Sequence, residues 1–154
     1  MNEGAGMLFQ ALQNHVSLSA LTIANHDRFH RNRIGLQACQ DLCNLLHANK
    51  ILSFLNISDN RIGNDGLATI APSLNPSSSL VVLNLQNNDL EGVTVITSIF
   101  EYLRTTKNLL ELNLSSNKIG DQAIIKLSET FEENTCHLQK LVLQNCKLTH
   151  IGTS

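Results

Sequence analysis

Apolar positions along the chain recur in blocks. Written from each leading leucine, five segments align: LSALTIAN from Leu18, LSFLNISDN from Leu52, LVVLNLQNN from Leu80, LLELNLSSN from Leu109 and LQKLVLQNC from Leu138. Their starts lie 34, 28, 29 and 29 residues apart. Each is apolar at its first, fourth and sixth positions, and all but the first carry Asn or Cys at the ninth. The central alternation of period two predicts short strands that bury one face, centred near residues 20–23, 54–57, 82–85, 111–114 and 140–143. The period then changes. Ile62, Gly66, Ile70 and Leu74 follow Asn60, and Ile119, Ala123, Leu127 and Phe131 follow Asn117; residues four apart mark one stripe of a helix.

Each unit is therefore a strand followed by a helix, and neither can bury its apolar face alone. Stacked neighbours form a solenoid in which every strand runs the same way. Asn60, Asn88 and Asn117 then fall at one station and are expected to form a buried ladder whose amides satisfy the turn leaving each strand, with Cys146 at the same station in the last unit.

The pattern LxxLxLxxN/CxL at 28–29 residue spacing resembles the leucine-rich repeat, in its ribonuclease-inhibitor-like subclass. The resemblance implies an α/β solenoid curved into a horseshoe arc, with a parallel β-sheet on the concave face and helices on the convex face. It implies one domain over residues 1–154: a partial repeat 1–17, repeats starting near 18, 52, 80 and 109, and a partial last repeat 138–154. It also implies a protein-binding role, because binding scaffolds dominate the family. At the N-terminus, Gly4, Leu8 and Leu12 are expected at the stations of Gly66, Ile70 and Leu74. No capping repeat is visible at the C-terminus, so the chain is expected to continue as a longer array, to be covered by a partner, or to self-associate through that uncapped end.

Three departures stand out. The first repeat carries an excess, Asn25-His26-Asp27-Arg28-Phe29-His30-Arg31, before the consensus-like Asn32-Arg33-Ile34-Gly35. Insertions in solenoids map to one rim; this one reads as a binding loop with Arg28, Phe29 and Arg31, or as a solvated loop whose Phe29 tucks against its own repeat. The third repeat places its extra residue near Glu91-Gly92, ahead of Val95, Ile99 and Leu103. Pro72 predicts a short or irregular helix there, since proline removes a donor and clashes with the preceding turn.

Composition narrows the function. The chain has 26 Leu and 18 Asn among 154 residues, no Trp and a formal charge of −2, which favours neither nucleic acid nor an anionic membrane. No apolar run reaches the ~20 residues of a membrane span, and residues 1–30 lack a signal peptide's pattern. Cys39, Cys43 and His47 share a helix, but Leu42 centres its core face, the two thiols flank it and His47 points outward. Buried Cys is the expected reading, and no CxxC spacing supports zinc. Cys136 with His137 and Cys146 with His150 make a poor case for an activated thiolate. The His26–His30 pair reads as solvated, and Glu129, Glu132 and Glu133 as a solvated face beside Lys126. No P-loop, HExxH or GxSxG is present. We expect no catalytic, metal or cofactor site, a non-enzymatic protein and a cytoplasmic location.

Strand residues between the buried leucines must face the concave side. Their columns read Ala20, Phe54, Val82, Glu111 and Lys140; then Thr22, Asn56, Asn84, Asn113 and Val142; then Ala24, Ser58, Gln86, Ser115 and Gln144. Phe54, Val82, Asn84, Glu111, Asn113 and Lys140, together with Arg28, Phe29 and Arg31 of the rim loop, are the expected contacts for a protein or peptide. Two alternatives stay open: a GTPase-activator-like regulator using an arginine of the 25–31 loop, and a pathogen effector binding a host protein in the host cytosol.

Overall fold

The computed structural model describes residues 3–25, 32–75, 78–132 and 136–149. Helices and three-residue strands alternate. The order is α1 (Glu3–Leu12), β1 (Ala20–Thr22), α2 (Leu36–Ala48), β2 (Phe54–Asn56), α3 (Gly63–Ile70), β3 (Val82–Asn84), α4 (Gly92–Thr105), β4 (Glu111–Asn113), α5 (Asp121–Glu132) and β5 (Lys140–Val142). The strands pair in chain order, all parallel, with Leu21, Leu55, Leu83, Leu112 and Leu141 in register. Each strand lies where the period-two alternation puts it, and the chain is an α/β solenoid.

The leucines of each strand and the stripe of each helix meet in one continuous core, in which Leu42, Leu55, Leu67 and Leu90 have no exposed surface. Within it, Gly66 lets α3 approach α2: a Cβ there would come 2.6 Å from Ile62 Cγ2 and 3.0 Å from Cys39 Sγ. Pro72 ends the regular helix as expected, and the chain tightens into a 3₁₀ turn over Ala71–Ser73. In the third repeat Gly92, at φ +68°, starts α4, and Val95, Ile99 and Leu103 are buried.

The asparagine ladder is present. Asn88 Oδ1 accepts the N–H groups of Asn60 and Ile62, and Asn117 Oδ1 accepts those of Asn88 and Leu90. The amide nitrogens donate back across the repeat, Asn60 to Ile23 O, Asn88 to Ile57 O and Asn117 to Leu85 O. Cys146 continues the column, its Sγ donating to Leu114 O at 3.3 Å. Buried backbone groups that no strand partner reaches are thus met by side chains.

The phase expected for α1 is off by one. Gly4 and Leu8 are exposed, whereas Phe9 is fully buried and Ala5 and Leu12 pack against the core. Burying the larger aromatic outweighs burying Leu8. Gly6 permits the close packing this needs, since a Cβ there would meet Asp41 Oδ2 at 2.8 Å; Gln10 Nε2 also donates to Asp41 Oδ1.

Candidate protein-binding face

The concave face is built from side chains that short strands hold in register. Phe54 lies beside Val82, Val82 beside Glu111 and Glu111 beside Lys140; two residues on, Asn56, Asn84 and Asn113 are neighbours. Phe54, Val82, Asn84, Glu111 and Asn113 are half-buried, and Lys140 is exposed. The face therefore divides along its length. An uncharged half on β2 and β3 carries the Phe54–Val82 pair, and a charged half on β4 and β5 carries an ion pair with Lys140 Nζ 3.0 Å from Glu111 Oε2. Both members of that pair are well solvated, so it adds little to stability.

Asn56, Asn84 and Asn113 do a second job. Their Oδ1 atoms accept the N–H of Ser58, Gln86 and Ser115 at 3.1, 3.0 and 3.0 Å. The side chain two residues back thereby holds the turn that leaves the strand. Asn113 Nδ2 donates on to Gln86 Oε1. The third column departs from expectation. Ser58 and Ser115 are buried, whereas Ala24, Gln86 and Gln144 keep partial or full exposure.

Arg28, Phe29 and Arg31, with the two loop histidines, lie outside the described residues. The strand-exit bonding that links the concave asparagines to their own backbone was missed in the sequence, although Asn two residues before a turn is the signal for it.

The Cys39–Cys43–His47 group divides between core and surface. Cys39 and Cys43 are buried, and His47 is exposed with Nδ1 3.0 Å from Cys43 O. Burial raises the Cys39 thiol to about 11 and pushes Cys146 upward, offset in part by the backbone of Asn117 and Ser116. Both are protonated thiols at neutral pH. Glu129 pairs with Lys126 on the surface of α5. Among the described residues no group of three His, Cys, Asp or Glu side chains is placed to hold a metal ion, and no helix is long and apolar enough to cross a membrane.

Comparison with known proteins gives consistent results. The family model described as Leucine Rich repeat matches residues 48–71 and 107–128. NACHT, LRR and PYD domains-containing protein 14 of Mus musculus is 40% identical over 78% of this chain and 12% of its own length. Ribonuclease inhibitor of Sus scrofa is 33% identical over 79% of this chain and 26% of its own length. The chain thus spans about a quarter or less of these curated relatives. Among solved structures, Leiomodin-1 Actin-Binding Site 2 superposes with a TM-score of 0.70 at 18% identity, covering 94% of this chain and 79% of that one.

Proposed function

We propose that this chain, a leucine-rich-repeat protein of the ribonuclease-inhibitor-like kind, is a non-enzymatic scaffold that holds a protein or peptide on its concave face. The observation that carries this reading is the solvent-facing Phe54–Val82 pair, bordered toward β4 and β5 by Asn84, Asn113, Glu111 and Lys140. An aromatic anchor within a polar rim is the usual composition of a binding hot spot. A relative supports a partner of this class, since by name it inhibits a ribonuclease. Five strands at ~4.8 Å spacing span only about 19 Å, room for one segment; Arg28, Phe29 and Arg31, expected from the sequence as further contacts, lie outside the described residues.

The non-enzymatic reading is supported by Cys39 and Cys146, two thiols that burial holds protonated and so makes poor nucleophiles at neutral pH. Four free cysteines suit a reducing compartment, in keeping with a cytoplasmic location. The test is affinity purification from reducing lysate with mass spectrometry, followed by titration of the recovered partner. Phe54→Ala and Glu111→Lys are each expected to weaken binding at least several-fold with the fold unchanged. Normal binding by both, with loss on the convex change Glu129→Lys, refutes the concave assignment.

A further inference from the structure

The backbone N–H groups of Ser58 and Gln86 can be met only by an oxygen, which decides which end of Asn56 and Asn84 turns away from the strand exit. Oδ1 is used inside, at 3.1 and 3.0 Å, so each amide presents its NH₂ outward. Among the described residues neither Nδ2 has an acceptor, and neither is shut away from solvent without one. The third member of the row differs, because Asn113 Nδ2 is already taken by Gln86 Oε1. Parallel register places Asn56 beside Asn84, so two donors stand about 4.8 Å apart. One oxygen lying between them can accept from both.

The surroundings select the oxygen. The two amides are uncharged and lie next to Phe54 and Val82, and the neighbouring strand brings Glu111, whose charge is answered by Lys140. No cation among the concave positions of the five strands is left over to draw a carboxylate. A neutral acceptor fits better, and in a protein partner the abundant one is a main-chain carbonyl. The sides of an α-helix offer none, because its carbonyls are bonded internally except in the last turn. An extended segment offers one at every residue.

We propose that the concave face recognises an extended, non-helical peptide segment, gripping a main-chain carbonyl between Asn56 and Asn84 while an adjacent apolar side chain covers Phe54 and Val82. This rests on the concave reading above and adds the conformation and chemistry of the partner. It predicts that recognition tolerates wide changes in partner sequence around one apolar anchor, since a carbonyl is common to all residues.

The test uses a random dodecapeptide library displayed on phage, selected on the full chain, with enriched peptides titrated by fluorescence anisotropy. Asn56→Asp and Asn84→Asp keep the oxygen that holds the strand exit and replace the outward donor with an acceptor. Asn113→Asp adds the same charge where the nitrogen is already engaged. The double variant Asn56→Asp, Asn84→Asp is expected to bind about tenfold more weakly or worse, from two lost hydrogen bonds. Asn113→Asp is expected to lose less than about threefold, and bound peptides to gain no helical circular dichroism. Asn84→Asp alone, expected to lose about threefold, replaces the double variant if the latter melts far below the parent chain. Helix formation on binding, or unchanged affinity for the Asp variants, overturns the proposal. Loss on Phe54→Ala with unchanged affinity for the Asp variants overturns the carbonyl grip alone. Normal binding by every variant, or no enriched peptide, overturns the concave reading with it.

Discussion

Replacing the ladder asparagines one at a time by alanine tests how the solenoid satisfies its buried backbone, because the three are not bonded alike. Asn88 is fully buried. Its Oδ1 takes the Asn60 N–H at 3.0 Å and the Ile62 N–H at 3.4 Å, and its Nδ2 gives to Ile57 O at 2.9 Å and Gln86 O at 3.3 Å. Two of these four bonds are short. Leaving a buried group unpaired costs about 1–3 kcal/mol, so Asn88→Ala is expected to cost about 2–6 kcal/mol with the two long bonds discounted. Asn117 makes five such bonds, of which four lie between 2.8 and 3.1 Å, and its loss is expected to cost more. Asn60 donates through Nδ2 to Ile23 O and Ser58 O, but its Oδ1 meets no donor among the described residues. Alanine there strips partners from two carbonyls and from no N–H, and also removes an unsatisfied atom, so Asn60→Ala is expected to cost least. Urea denaturation of the three variants reads the order directly, provided the slope stays constant so that shifts in midpoint report stability. The expected ranking is Asn117, then Asn88, then Asn60, with melting lowered in proportion for Asn88→Ala. An Asn60 variant as damaged as the Asn117 variant, or an Asn88 variant that melts like the parent, refutes the bonding argument.

Other consequences follow from burial. Phe9→Ala is expected to cost about 3–5 kcal/mol and Leu8→Ala less than about 1 kcal/mol, Leu8 being 42% exposed and Phe9 0%; the reverse order in thermal melts refutes the α1 phase. The Cys39 thiol, raised from 9.0 to about 11, binds its proton more tightly folded than unfolded. Its contribution is therefore intact below about pH 9 and lost as pH rises toward 11, and Cys39→Ala is expected to flatten stability over that window in denaturation at pH 8 and pH 10.5. The solvated Glu111–Lys140 pair predicts that Lys140→Met changes the melting free energy by less than about 1 kcal/mol, so an effect of that variant on partner binding reads the interface alone.

Strand placement, direction and order were available from residue spacing, because a repeat of strand plus helix has only one way to hide its leucines: beside a copy of itself. The same reasoning located the ladder at Asn60, Asn88 and Asn117 and the irregular helix end at Pro72, each a local consequence of one residue type at one station. Packing between elements lay beyond it. Placing Gly4 and Leu8 at the stations of Gly66 and Ile70 pointed to one stripe of α1, yet the neighbour α2 turns Phe9 inward and rests Asp41 close over Gly6, a competition between two candidate stripes that only the facing surface resolves. The first two concave columns lie where alternation puts them, and the third does so at Ala24, Gln86 and Gln144 but not at Ser58 and Ser115. Ser58 and Ser115 go under while Gln86 stays half-exposed, although Asn56, Asn84 and Asn113 hold the three N–H groups alike. Alternation determines which way a side chain points along a strand. Which end of an amide is spent on the backbone, and which is left without a partner in the chain, is decided by hydrogen-bond geometry that exists only once the strand exits are folded.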